Sequence, residues 1–235
     1  MEPRQVAAGQ GWQWIVEGFD LFKKSPIIWI VLFIVLVLIA VVLNFIPILG
    51  PLVFYILSPV FLGGLMIGCQ AQQNGEELEI AHLFAGFKKN TNSLIVLGGV
   101  YLVGSVIIFF VMFVLGGGAM LGLMRGGQPD IAALTTAMSG ALLAILIGLA
   151  LYVPLAMALW FAPALVIFND MQPVPALKSS FDACLKNIIP FLVYGIAFLV
   201  LAIIASIPLF LGFLVLMPVI FTSVYTGYRD IYAGA

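Results

Sequence analysis

An all-α polytopic membrane protein is what this sequence predicts: six transmembrane helices in three repeats of an interfacial amphipathic helix plus a helix pair. Three observations lead there. Hydrophobic residues make up 64% of the chain and charged residues only 8%, whereas roughly a quarter of a soluble domain is charged; the mean hydropathy is +1.24. Several uncharged runs are long enough to cross a bilayer, since about 20 residues at about 1.5 Å each cover a hydrocarbon core of about 30 Å. One pattern also recurs three times: an amphipathic stretch ending in lysine, an apolar span, then a second span containing proline. The stretches are Phe19 to Ser25, Phe84 to Asn90 and Phe181 to Asn187, and the prolines are Pro59, Pro154 and Pro218. The chain therefore reads as a single membrane domain with internal repeats at about 10–70, 76–170 and 174–230.

The first element runs from Trp12 to Lys24. Trp12, Ile15, Phe19 and Phe22 recur at steps of three and four, opposite a stripe of Gln13, Glu17, Asp20 and Lys24, which is the signature of an interfacial helix. Trp12, Trp14, Lys23 and Lys24 are expected at the lipid headgroups, where aromatic rings and lysines collect. The run from Ile27 to Ile46 is 20 residues without a charge. That is too long for a signal-peptide core and no small-residue cleavage site follows, so a retained span is expected over 26–46. Further spans are expected over 50–70, 93–115, 144–168, 188–206 and 209–228.

The second interfacial element sets Ile80, Leu83, Phe84 and Phe87 against Glu79, His82 and Lys89. The third sets Val174, Leu177, Phe181, Cys184 and Ile188 against Lys178, Asp182 and Lys186. Lys88, Lys89, Lys178 and Lys186 complete the expected headgroup contacts. Such helices anchor a protein at the interface, and they also recognise lipids or partners; the sequence leaves both open.

The fourth span needs a decision, because residues 131–168 form an apolar stretch of 38, too long for one straight crossing. Matching Pro154 to Pro59 and Pro218 centres the crossing on Pro154. Asp130 to about Leu142 is then expected at or near the far surface, on the surface or re-entrant, with Asp130 capping its first turn. Proline removes a backbone hydrogen bond and kinks its helix. Ser58, Thr222 and Ser223 are placed to satisfy the freed carbonyls, and aligned kinks either shape packing or open a cavity for a lipid or another apolar molecule.

This arrangement puts Arg4, Lys23, Lys24, Lys88, Lys89, Lys178, Lys186 and Arg229 on one side, eight of the nine basic residues, with Arg125 alone opposite. The positive-inside rule then makes both termini cytoplasmic. The two cysteines, Cys69 and Cys184, fall on the same reducing side and suggest no disulfide framework. A bacterial inner membrane suits these features. A net charge of −1 gives no basic surface for nucleic acid.

The interior contains no expected titratable group, which argues against proton-coupled transport, and no filter-like sequence suggests a channel. Glu79-x-x-His82 has the spacing used in di-iron bundles, but those need two such motifs and this chain has one histidine. No nucleophile elbow, phosphate loop, dinucleotide fingerprint or Cys-x-x-Cys occurs. The expectation is a non-enzymatic protein without cofactor or metal. Gly64 with Gly68, and Gly118 with Gly122, have Gly-x-x-x-Gly spacing suited to close helix packing.

Gly11-Trp12-Gln13-Trp14-Ile15 with Gly18-Phe19 and Leu21-Phe22, followed by Gly64-Leu65-Met66, Gly68 and His82-Leu83-Phe84-Ala85-Gly86-Phe87, resembles an uncharacterised family of proteobacterial inner-membrane proteins along most of the chain. More loosely, the three-repeat plan resembles the membrane domain attached to some glycerophosphodiester phosphodiesterases. The phosphodiesterase domain has no counterpart here, so no catalytic residue carries over. The function expected is binding or organising lipid or another apolar molecule. A scaffold or assembly subunit of a membrane complex, or a homo-oligomer, is the alternative, and a transporter or channel comes third.

Overall fold

A computed structural model describes residues 2–125 and 131–233, and these are helical with short connections. In chain order they form α1 (Gln10–Lys24), α2 (Pro26–Asn44), α3 (Leu49–Gln73), a 3₁₀ helix (Ile80–Phe87), α4 (Thr91–Arg125), α5 (Ile131–Trp160), α6 (Ala162–Asn169), α7 (Pro173–Lys186), α8 (Ile188–Ser206) and α9 (Phe213–Tyr228). A π-helical turn, Arg229–Ala233, follows. Pro26 sits in the first turn of α2, where its missing N–H costs nothing and its ring prevents α1 from continuing. The second amphipathic element is a 3₁₀ helix rather than an α-helix, and it is opened by a cap. The Glu79 backbone N–H donates to His82 Nδ1 at 2.9 Å, so this Glu–His pair closes a helix end.

Among the described residues five segments are long and apolar enough to cross a membrane: Pro26–Asn44, Leu49–Gln73, Thr91–Gly117, Leu134–Asn169 and Ile188–Ser206. The protein is therefore an all-helical integral membrane protein. The span expected over 209–228 is shorter than read from the sequence. α9 has 16 residues, rising about 24 Å, because Leu209 and Phe210 take positive φ of 52° and 65°, which a right-handed helix cannot accommodate.

The fourth span also differs. α5 runs without interruption from Ile131 through Pro154 to Trp160, stops at Phe161, and the chain resumes as α6. Ile131 to Leu142 thus opens a long helix instead of lying apart from it. The expected Asp130 cap, the Arg125 side chain and the Gly118–Gly122 spacing fall outside the described residues. Pro154 is exposed, whereas Pro59 and Pro218 are buried. Pro163, in the first turn of α6, is buried as they are, and each of these three begins an apolar segment facing the interior.

The chain divides into two compact units, Met1–Gly99 with Ala158–Ala235, and Val100–Met157. The second is an antiparallel helix hairpin: Tyr101 Oη lies 3.3 Å from Tyr152 Oη, Gly104 meets Leu155, Met112 meets Gly148, and Gly116 meets Ala144. Its outer surface is apolar, with Phe109, Phe110, Phe113, Leu142 and Leu146 exposed.

In the first unit α3, α6 and α9 are innermost. α3 packs on both α6 and α9, and Phe168 stacks edge-on to Tyr225 with ring centres 5.9 Å apart. α2 and α8 lie outside and bury few residues. Each short element then lies along one inner helix: α1 along α9, the 3₁₀ helix along α3, and α7 along α6. The contacts are close because the residues are small. A Cβ added at Gly18 would sit 2.7 Å from Ser223 N, and one at Gly86 would sit 2.0 Å from the Val60 carbonyl oxygen. In α7 Ala176, Ser180 and Ala183 are fully buried. Between lipid-embedded helices dispersion and polar contacts replace the hydrophobic effect as the source of association, so such close approach is what holds the unit together.

Candidate functional site

The inner helices end where the short elements end, and polar links join them there. Lys24 Nζ donates to the Gln72 carbonyl at the end of α3 (3.3 Å). Asn90 Nδ2, just after the 3₁₀ helix, donates to the Val166 carbonyl and to Asp170 Oδ1 at the end of α6 (both 2.7 Å). After α7, Asn187 Nδ2 donates to the Arg4 carbonyl (3.0 Å) and Lys186 Nζ reaches the Pro3 carbonyl (3.4 Å). Arg4 in turn is bonded to the Asp230 carboxylate beyond α9. These links gather the six helix ends and the N-terminal segment at one end of the unit.

Lys23, Lys24, Lys88, Lys89, Lys178 and Lys186 are all exposed there. Lys23 pairs with Asp20 at 2.7 Å on the surface and lies over the Phe19 ring. Trp12 is half exposed, at 50%, and remains available to the surroundings. Trp14 is not: it is 2% exposed, and its Nε1–H donates to Asp230 Oδ2 at 2.8 Å. Its expected headgroup contact is therefore corrected to a structural one. The reason lies in the face that α1 buries, Gly11, Trp14, Ile15, Gly18, Leu21 and Phe22, which is rotated from the apolar stripe read in the sequence and leaves Phe19 exposed.

Two of the other polar readings change likewise. Ser58 Oγ does donate to the Tyr55 carbonyl at 2.9 Å, the acceptor that Pro59 frees. Thr222 and Ser223 instead serve carbonyls of Pro218, Val219 and Ile220, and Thr222 also donates to the Gly18 carbonyl at 2.8 Å. Gly64 and Gly68 face His82, Leu83 and Leu78, so that spacing serves packing within the chain.

An open cleft of about 280 Å³ lies at this end, lined by Glu17, Asp20, Leu21 and Lys24 of α1, Gln73 at the end of α3, and Thr226 and Arg229 of α9 and its π turn. Burial, with the Asp230 charge behind it, pushes the Glu17 carboxyl above the usual range; Arg229 pulls it down and Asp20 raises it further. Lys24 and Arg229 have no carboxylate partner at ion-pair distance among the described residues. A second cleft of about 400 Å³, between Asn92, Ser93 and Val96 and the segment Gln172–Pro175, has no charged lining. Among the described residues no group of three metal-ligating side chains occurs. The arrangement offers charge, hydrogen-bond donors and an opening.

Sequence reasoning missed Asp230, Asn187, Ser180 and Pro163. Of these, only Pro163 carried a signal, since Pro163-Ala164-Leu165-Val166 repeats the proline-then-apolar pattern of Pro59-Val60-Phe61-Leu62.

No protein-family model matches the chain, and no solved structure matches it; the looser likeness to phosphodiesterase membrane domains has no match behind it. A probable inner membrane protein of Burkholderia thailandensis is 32% identical over 208 residues, covering 86% of this chain and 77% of that protein. At that identity and coverage, this chain belongs to the same family as that probable inner membrane protein.

Proposed function

We propose that this protein is a non-enzymatic inner-membrane protein that binds or organises lipid through the end of the unit where its lysines gather. The observation that carries this reading is the common position of Lys23, Lys24, Lys88, Lys89, Lys178 and Lys186, exposed where apolar spans begin. Lysines so placed reach phosphates while their stems stay on apolar surface. In this reading the chain crosses six times in three repeats, with α9 as a short sixth crossing, and both termini are cytoplasmic. The cyclic docking of α1, the 3₁₀ helix and α7 onto α9, α3 and α6 supports that plan, and the inner-membrane description of the Burkholderia relative supports the compartment.

The test is lipid retention by purified protein with Lys24, Lys89 and Lys186 each replaced by Gln. A basic residue near a membrane surface contributes about 1 kcal/mol, so the triple variant should lose about 3 kcal/mol, on the order of a hundredfold in retention. Unchanged retention would remove the basis for lipid handling.

A scaffold role in a larger complex is the second reading, favoured by one observation. α4 and α5 have 35 and 30 residues, about 52 and 45 Å, longer than the hydrocarbon core, and their exposed side chains are largely apolar. A stoichiometric protein partner lost on deletion of this chain would support it.

A further inference from the structure

The cleft lined by Glu17, Asp20, Lys24 and Arg229 has a charge pattern that selects among headgroups. Nine of the ten acidic residues lie on the same side of the spans as eight of the nine basic ones. The lysine-bearing end is thus close to neutral overall, so its lysines engage phosphates locally and selection among headgroups rests on how the charges are arranged. Within the cleft the four charged side chains also sum to zero, two of each sign. A lone anion there would meet Glu17 and Asp20, and a lone cation would meet Lys24 and Arg229. A ligand carrying both charges a few bonds apart satisfies both pairs.

We propose that this cleft binds a phosphoethanolamine group, with its phosphate between Lys24 and Arg229 and its primary ammonium at Glu17 and Asp20. The proposal rests on the lipid-binding reading above and gives it a headgroup. The hydrogen-bonding inventory fits. A primary ammonium has three N–H donors for carboxylate oxygens, and lysine and arginine supply donors to phosphate oxygens. Lys24 and Arg229 have no carboxylate at ion-pair distance among the described residues, so neither must break an ion pair to accept the ligand, and Asp20 exchanges an exposed pair with Lys23 for the ammonium. The Glu17 carboxylate is held in an environment that disfavours its charge, through burial and the neighbouring Asp230; a bound ammonium relieves this. The volume, about 280 Å³, is at the lower limit for ligand pockets, roughly 300 Å³ upward. It suits a headgroup whose acyl chains leave through the opening.

The test is native mass spectrometry of the delipidated full chain in detergent, titrated separately with phosphatidylethanolamine, phosphatidylcholine, phosphatidylglycerol and water-soluble glycerophosphoethanolamine. The expected result is phosphatidylethanolamine bound at least tenfold more tightly than phosphatidylcholine, whose quaternary nitrogen has no N–H, and than phosphatidylglycerol, which has no ammonium. Glu17→Gln with Asp20→Asn should abolish that preference, and Lys24→Gln with Arg229→Gln should weaken phosphatidylethanolamine at least tenfold. All four sites line the cleft, and a single cooperative thermal unfolding transition in each variant checks that it folds. Displacement of the lipid by glycerophosphoethanolamine at similar concentration would assign the site to the free ester, and failure to displace would assign it to the lipid; either supports phosphoethanolamine recognition. Equal binding of all three lipids, or a preference that survives both double variants, overturns the cleft assignment and leaves general lipid binding standing. No binding of any lipid overturns the lipid-binding reading as well.

Discussion

Trp14 and Asp230, 216 residues apart in sequence, are joined by a hydrogen bond from the indole Nε1–H to carboxylate Oδ2 at 2.8 Å, while Arg4 holds the other carboxylate oxygen. This contact ties the first helix and the N-terminal segment to the end of the last helix. Asp230 is buried and Arg4 is about half exposed, so the carboxylate depends on both partners and Arg4 depends least on it. Replacing Asp230 with Ala leaves a buried indole N–H unpaired and should cost about 2–3 kcal/mol. Trp14→Phe keeps an aromatic ring but loses the donor and the five-membered ring of the indole, for about 1.5–2 kcal/mol. Arg4→Ala should cost about 1 kcal/mol, as exposed pairs do. Thermal unfolding in detergent checks this order.

The glycines of the short elements carry a second prediction. Gly86→Ala would put a Cβ 2.0 Å from the Val60 carbonyl oxygen, a backbone atom, so the 3₁₀ helix must move off α3 at a cost of about 1–3 kcal/mol or more. Gly99 in α4 has nothing within 4 Å of an added Cβ. Gly99→Ala should therefore stabilise by about 0.5–1 kcal/mol. Opposite shifts in unfolding temperature for these two alanines are the expected result.

Much of the architecture was legible in the sequence: the helical class, the long spans and the lysines beside them. The phase of α1 was not. Apolar residues lie on two flanks of this helix, and the periodicity ranks Trp12 and Phe19 with Ile15 and Phe22. The structure buries the flank containing Gly11 and Gly18 instead, where α8 approaches Gly11 and α9 approaches Gly18 more closely than a side chain would allow. Residues 131–168 are apolar on every face, so periodicity carried no phase at all, and matching Pro154 to the other prolines was a matter of spacing alone. Asp230 had no signal, being a lone acid in the tail after the last apolar run.

Glu17 gives a pH dependence with a definite sign. Its folded pKa lies above the ordinary 4.5 through burial and Asp230, with Arg229 lowering it and Asp20 raising it. In the window above 4.5 the folded chain binds more protons at this site than the unfolded chain. The contribution of Glu17 to stability therefore falls as pH rises through that window. Glu17→Gln should remove this slope and raise the unfolding temperature slightly at pH 7, which unfolding scans of both proteins at pH 4 and pH 7 would measure.

Cysteine labelling tests the orientation only with introduced sites. Cys69 and Cys184 are both buried, and burial pushes the Cys184 thiol up to about 12, so both should stay silent toward maleimide whichever side they face. A membrane-impermeant maleimide should label Leu209→Cys in intact cells and label Lys178→Cys only after the membrane is opened. The reverse pattern would invert the topology.

The most direct test of lipid handling is mass spectrometry of the protein extracted with its surrounding bilayer in polymer nanodiscs, reading lipids and proteins together. The account predicts one lipid class enriched over the bulk membrane and no protein at stoichiometric level. Bulk-like lipid with a reproducible stoichiometric protein partner would contradict it and make this chain a subunit of that partner's complex.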